Sequence, residues 1–257
     1  MVDVSVIGCG NMGGALARGL AQAGVADVLA FDIDPDAFTR LDGLDVDTTT
    51  ELGDARDAPY VFVAVKPDLV QTVLEDLDLS SDQTVISIAA GLPTESIRSV
   101  TDGQIVRLMP NLAASHNEMA GAVAGTVDET LWTLLDSLGT VVEIREAQMD
   151  AATALNGSGP AFVFYLINAM ATAGSDLGID PANARVLAAQ TFKGAAETVL
   201  DADESIDDLI EAVCSPKGTT IEGMAILRSS DTEATIQEAV EAAADRATEL
   251  AQEASYE

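Results

Sequence analysis

The feature that most limits how this chain can fold lies at its start. The apolar run Val2 to Ile7 passes directly into Gly8-Cys9-Gly10-Asn11-Met12-Gly13 and then into helical spacing through Leu20. A β-branched run, a glycine turn and a helix, in that order, predict the opening of a parallel βαβ unit. Gly8 permits the tight turn, Gly10 lets backbone approach an anion, and Gly13 lets helix and strand pack closely, with the helix N-terminus turned toward that anion. One acid completes the pattern: Asp32 closes the next predicted strand, about 20 residues past the loop. Together these residues predict a dinucleotide site. Ile7, Gly8, Cys9, Gly10, Asn11, Met12 and Gly13 would line the phosphates and Asp32 would hold the ribose; a structural glycine turn is the alternative.

A carboxylate at Asp32 accepts hydrogen bonds from a ribose 2′-hydroxyl. A 2′-phosphate would instead meet Asp32 and Asp34, with Arg40 as the nearby counter-charge. Asp32 therefore favours NADH over NADPH. A cation-rich medium would blunt the repulsion, and both acids also fit a generally acidic surface.

That surface follows from composition. The chain of 257 residues has 12 Lys and Arg against 43 Asp and Glu, a formal net charge of -31. Such a charge repels phosphate backbones and anionic lipid, so neither nucleic acid nor a membrane is an expected partner. With 48% hydrophobic residues the chain still has the apolar side chains of a core. At 1 M salt, where the Debye length is about 3 Å, self-repulsion of this size is tolerable. A halophile's protein is expected, with an ordinary acidic protein as the alternative. The first strand begins without a basic leader and no apolar run reaches membrane-spanning length, which predicts a cytoplasmic chain. Cys9 and Cys214 lie outside any metal-ligand spacing and are expected as free thiols, with no metal site.

Strand candidates are Val2 to Ile7, Val28 to Asp32, Tyr60 to Val65, Thr84 to Ala89, Ile105 to Met109, Ala122 to Ala124 and Val141 to Arg145. Several are apolar on both faces, as strands covered by helices on each side are. After about Asp150 come Ala, Leu and Met at helical spacing, through Phe162 to Ala173, Ala182 to Leu200 and Ala234 to Ala254. Pro160 and the pair Asp180-Pro181 are placed to open helices. The expected fold is α/β, a Rossmann-type doubly wound parallel sheet over residues 1–152 followed by an all-α domain over residues 153–257. The acidic stretch after Asp231 reads as a solvated helix face. Ahead of the helical pattern Ile221 to Leu227 stands Ser215-Pro216-Lys217-Gly218-Thr219-Thr220. Free N–H groups and hydroxyls at a helix N-terminus suit a carboxylate; a plain Ser/Thr cap is the alternative.

Four segments taken in order resemble one family, pyrroline-5-carboxylate reductase, which makes proline. They are Phe62-Val63-Ala64-Val65-Lys66-Pro67, Ile86-Ser87-Ile88-Ala89-Ala90-Gly91, Val106-Arg107-Leu108-Met109-Pro110-Asn111 and Thr153-Ala154-Leu155-Asn156-Gly157-Ser158-Gly159-Pro160-Ala161. The loop from Cys214 to Thr220 is similar to that family's Ser-Pro-Gly-Gly-Thr-Thr loop. The resemblance implies reduction of 1-pyrroline-5-carboxylate to L-proline with NADH or NADPH. It implies that backbone at Ala64, Val65, Lys66 and Pro67 and at Ile88, Ala89 and Ala90 lies along the dinucleotide. Asn111 would offer its amide near the nicotinamide, with a turn-forming Pro-Asn as the alternative. By the same resemblance Ser215, Lys217, Gly218, Thr219 and Thr220 hold the substrate. Ser215 and Thr220 are then the catalytic candidates, Thr220 beside the ring nitrogen. Family members interlock their helices into homodimers and often join dimers into rings, so Phe162, Phe164, Leu166, Ile167 and Met170 belong to a core or an interface.

The implied reaction transfers a hydride to the C=N carbon of a protonated imine. That carbon is already electrophilic, so orientation and water exclusion suffice and solvent supplies the proton. His116 as a general acid is set against a surface histidine. Two departures stand out: Asn111-Leu112-Ala113 replaces the family's Asn-Thr-Pro, and Lys217 replaces the first glycine of its Gly-Gly pair. If that position needs a left-handed conformation, a side chain there would cost roughly 1 kcal/mol; if not, Lys217 places positive charge beside the carboxylate nest, where it would offset the chain's negative field, with a solvent-facing lysine as the alternative. Two other functions compete. A β-hydroxyacid dehydrogenase needs a lysine on a helix close behind its glycine turn, and Pro160 and an apolar helix stand there instead. A non-catalytic dinucleotide-binding regulator is separated from an enzyme by turnover.

Overall fold

The computed structural model describes residues 1–254. Its first elements are β1 (Val2–Ile7), α1 (Asn11–Ala23), β2 (Ala26–Phe31), β3 (Asp47–Thr49), β4 (Tyr60–Val63), α2 (Val70–Leu77) and β5 (Thr84–Ser87). Then come α3 (Thr94–Arg98), β6 (Gln104–Met109), β7 (Met119–Gly125), α4 (Glu129–Asp136) and β8 (Gly139–Glu143). The strands form one sheet in the order β3-β2-β1-β4-β5-β6-β7-β8. Six run parallel, β7 pairs antiparallel with β6, and β8 runs parallel to β7. The chain leaves β1 toward β2 and β3, then returns to lay β4 on the other side of β1. This is the reversal at which an open α/β sheet holds a ligand, at the carboxyl ends of its strands.

Burial on both faces explains the apolar strands. Val4 and Val6 join Leu16, Leu20, Phe62, Ile86, Val106 and Leu134 in one core. Ile7, Val61, Val63, Val85, Leu74 and Ile97 form another. The strand β3 was not expected, because Asp47-Thr48-Thr49 is a polar edge strand with no apolar run to mark it. The strands β4 and β5 end two residues before the expected limits. Ala64 to Pro67 and Ile88 to Ala90 are thereby released from the sheet as turns.

The remaining elements are α5 (Met149–Ala152), a π-helical turn over Thr153–Gly157, α6 (Gly159–Asp176), α7 (Pro181–Asp201), α8 (Ile206–Val213), α9 (Thr219–Arg228) and α10 (Thr232–Ala254). The described chain makes two compact units, one of Met1–Ser158 with residues 241–254, the other of Gly159–Val240. In the second, Asp180 caps α7 by accepting from Ala182 and Asn183 N–H, with Pro181 in the first turn. Ser205 and Asp208 form a capping box on α8. This unit leaves Phe164, Tyr165, Val186, Leu187, Leu200 and Ile226 exposed. Among the described residues no Asp or Glu is buried, no helix is long and apolar enough to cross a membrane, and no cluster of side chains suits a metal ion.

Candidate active site

Gly8 leaves β1 at φ 93, a left-handed value natural to glycine. Its N–H donates to the Phe31 carbonyl at 2.8 Å, which ties the turn to β2. A β-carbon on Gly13 would lie 1.8 Å from the Gly8 carbonyl oxygen and 2.9 Å from the Ala64 β-carbon, so α1 starts this close to β1 only without a side chain. Gly10 differs: it is exposed, and a β-carbon there would meet nothing within 4 Å. Gly10 caps α1 without a side-chain hydrogen bond. The first intrahelical bond runs from Gly14 N–H to the Gly10 carbonyl at 3.0 Å. Asn11, Met12 and Gly13 therefore keep N–H groups at the helix end with no intrahelical acceptor, and with the open space at Gly10 they make a cradle that fits the phosphates of a dinucleotide.

The same loop holds the Asp32 carboxylate. Asp32 Oδ2 accepts from Cys9 N–H at 2.7 Å and Oδ1 from Asp34 N–H at 2.9 Å, fixing the carboxylate while leaving lone pairs for a hydroxyl. Arg40 reaches to 3.3 Å from where a β-carbon on Gly14 would stand, and its carbonyl accepts from Arg18 Nη2. Cys9 is buried, and its thiol donates to the Phe31 carbonyl at 3.4 Å. Burial, helped by the Asp32 charge, pushes the thiol up to about 12. Thiolate is the reactive form, so Cys9 in Cys214→Ser protein should resist iodoacetamide at pH 8 until the chain is denatured. Rapid labelling of the native variant would contradict this burial.

Ala64 and Val65 lie directly against Gly8, whose added β-carbon would be 3.0 Å from the Ala64 carbonyl oxygen and 3.1 Å from Val65 Cγ1. Ala64 N–H donates to the Ile7 carbonyl at 2.8 Å, while Lys66 is exposed and leads Pro67 into a short turn. Ile88 N–H donates to the Val63 carbonyl at 3.2 Å, bringing Ile88, Ala89 and Ala90 beside that turn. Gly91, at φ 76, passes so near α10 that a β-carbon would lie 2.9 Å from Ala251 Cα. A few residues on, Thr94 N–H donates to Glu146 Oε1 at 2.6 Å, and Arg107, 5% exposed, pairs with the same oxygen at 3.4 Å. Burial raises the affinity of Glu146 for a proton, but these hydrogen bonds and the Arg107 charge outweigh it and hold the carboxyl below its usual value. Asn111, 6% exposed, accepts at Oδ1 from Ala113 N–H at 3.2 Å, which leaves its amide nitrogen outside that bond. The turn carrying exposed His116 instead packs against Gly19, in the far half of α1 from the phosphate loop. Asn156 is a residue whose part the sequence did not disclose: its side chain reaches the carbonyls of Met109 and Ala120.

In the second unit Gly218 N–H donates to the Ser215 carbonyl at 2.9 Å, closing a turn with Pro216 and Lys217 at its centre. Lys217 has φ 63, the left-handed value that such a position asks of glycine. Gly218 caps α9 without a side-chain hydrogen bond, and its Cα is so close to the Ser215 hydroxyl that a β-carbon would collide with it. The N–H groups of Thr219 and Thr220 and the Ser215 hydroxyl thus share one uncapped, solvent-exposed helix end.

Phosphate loop, anchored acid and strand-end turns define a Rossmann-type dinucleotide-dependent oxidoreductase. A family described as pyrroline-5-carboxylate reductase dimerisation matches residues 146–250, and one described as NADP oxidoreductase, coenzyme F420-dependent, matches residues 3–91. The pyrroline-5-carboxylate reductase of Methanosarcina acetivorans is 37% identical, over 96% of this chain and 97% of its own length. The Plasmodium falciparum pyrroline carboxylate reductase structure with NADP bound superposes with a TM-score of 0.83 at 28% identity, over 97% of this chain and 98% of that one. The Coxiella burnetii pyrroline-5-carboxylate reductase structure gives 0.85 at 30% identity, over 96% and 97%. The chain belongs to the pyrroline-5-carboxylate reductase family.

Proposed function

We propose that this chain reduces 1-pyrroline-5-carboxylate to L-proline. The carrying observation is 37% identity to a reductase of that name across 96% of the chain, which spans both the phosphate loop and the Ser215 loop. Ile7 to Gly13 hold the dinucleotide phosphates and Asp32 the ribose. Turns Ala64 to Pro67 and Ile88 to Ala90 flank the dinucleotide, and Asn111 meets its nicotinamide. When bound, the reduced dinucleotide supplies the hydride. Ser215, Lys217, Gly218, Thr219 and Thr220 receive the substrate carboxylate on backbone N–H groups and hydroxyls. Thr220 orients the ring nitrogen, which takes its proton from solvent, so a buried acid is not needed. Conversion of 1-pyrroline-5-carboxylate to proline, identified by mass, tests this function.

Asp32 and Asp34 favour NADH, and Arg40, whose side chain lies against Gly14 in the first turn of α1, is the counter-charge that would moderate that preference. A kcat/KM ratio favouring NADPH would overturn the preference assigned to Asp32. Residues 153–257 serve as the substrate-binding and dimerisation domain, their exposed apolar helices closing on a second copy and the dimers joining into a ring. The chain works in a salt-rich cytoplasm, where its charge of -31 is screened.

In that negative field Lys217 is kept at φ 63 although glycine would be less strained by about 1 kcal/mol. Its charge draws the anionic substrate to the nest. Replacing Lys217 with Gly should raise KM for 1-pyrroline-5-carboxylate several-fold at the lowest salt that keeps the protein folded. The rise should shrink in molar KCl. A KM unchanged at every salt concentration would remove this role.

A further inference from the structure

We infer that Asn156 is a positioning residue for the nicotinamide end of the site, its side-chain amide holding the turn Met109-Pro110-Asn111 where Asn111 can meet the ring. The inference rests on the dinucleotide reading above and starts from the end of a sheet ladder. The strands β6 and β7 pair antiparallel as far as Met109↔Ala122 and no further. The next residue, Pro110, has no N–H with which to extend the ladder. Backbone carbonyls left at such an end need other donors.

Asn156 Nδ2 supplies them, donating to the Met109 carbonyl at 2.7 Å and to the Ala120 carbonyl at 2.9 Å. A primary amide has two N–H donors, and both are committed here. The backbone is shaped to deliver that amide. Thr153–Gly157 is π-helical, closed by Ser158 N–H on the Thr153 carbonyl at 2.9 Å. Turns of this kind are rare and gather at functional sites. Gly157 then lies against Met109, whose Sδ would be 3.5 Å from a β-carbon on the glycine.

The gripped Met109 carbonyl is joined directly to Pro110, whose φ is fixed by its ring, and Pro110 to Asn111. Asn111 is nearly buried and has already committed Oδ1 to Ala113 N–H. Its remaining amide nitrogen therefore moves with the backbone that Asn156 holds. The phosphate loop and Asp32 are anchored elsewhere, on β1, β2 and β4. Asn156 should consequently govern the nicotinamide end alone.

Two substitutions separate positioning from general support. Asn156→Leu keeps the size and removes both donors. Asn156→Asp places a carboxylate against two carbonyl oxygens, where it can donate only when protonated. The readouts are the Kd of ADP-ribose, which lacks the nicotinamide, the fluorescence of bound NADH, and kcat against pH. ADP-ribose affinity should be unchanged, bound NADH should lose its altered emission, and kcat should fall roughly 10- to 100-fold, the cost of a misplacement near 1 Å. In Asn156→Asp the ratio of kcat to that of the unaltered enzyme should rise as pH falls. If Asn156→Leu does not fold, this pH dependence and the ADP-ribose control in Asn156→Asp carry the test. Unchanged kcat and NADH emission in the folded variants would overturn the role, as would loss of ADP-ribose affinity in proportion to kcat. If the unaltered protein fails to bind ADP-ribose, both the role and the dinucleotide reading fall.

Discussion

Gly13→Ala should abolish dinucleotide binding and destabilise the first unit by about 3 kcal/mol, the upper end of ordinary overpacking costs. The added methyl would stand 1.8 Å from the Gly8 carbonyl oxygen and 2.9 Å from the Ala64 β-carbon. To make room, α1 must move away from β1 and β4, and the phosphate cradle moves with it. Gly10→Ala is the informative counterpart. Nothing lies within 4 Å of its β-carbon in the protein alone, so thermal stability should hold while NADH affinity falls by about tenfold or more, one hydrogen bond's worth of close approach. Thermal denaturation and calorimetric NADH titration of the two variants check the contrast. Equal NADH affinity in Gly10→Ala and unaltered protein would mean that no phosphate approaches at Gly10.

The second large effect is expected at α9. Thr220→Val keeps the shape of the side chain and removes its hydroxyl, so kcat/KM for 1-pyrroline-5-carboxylate should drop about 100-fold, the cost of a hydrogen bond to a charged or charging group. The Kd for NADH should not change, and Thr220→Ser should recover much of the loss. Steady-state kinetics in molar KCl would show it. If Thr220→Val turns over at the unaltered rate, the ring nitrogen is oriented by another group, and Ser215, beside Gly218 at the same helix end, becomes the candidate.

What could be read before the structure depended on how local each cause was. The phosphate loop was legible because two of its three glycines, Gly8 and Gly13, answer to contacts with each other and with the adjoining Ala64 turn. Asp180-Pro181 was legible because a cap and a first-turn proline act within four residues. The edge strand β3 was not, since Asp47, Thr48 and Thr49 pair with β2 on one side only and bury almost nothing. The reversal of β7 was hidden as well. Ala122 to Ala124 is apolar in either direction, and direction is set by the short connection from Asn111 to Asn117, which folds back over α1. The Lys217 conformation followed from likeness to a glycine, and φ 63 bears out the conditional strain. The part played by Asn156 was out of reach, because its partners Met109 and Ala120 are distant in sequence and are set only when the sheet forms.

The central claim is that a hydride passes from a reduced nicotinamide to the C=N carbon of 1-pyrroline-5-carboxylate in a site that needs no buried acid. The direct measurement uses purified protein in molar KCl with NADH carrying deuterium at both C4 positions, followed by mass spectrometry of the product. Proline with a single deuterium at the former imine carbon, formed in step with loss of NADH absorbance, is the predicted result. Protein that is folded and binds NADH or NADPH, yet forms no proline or only unlabelled proline from the deuterated cofactor, would contradict the account.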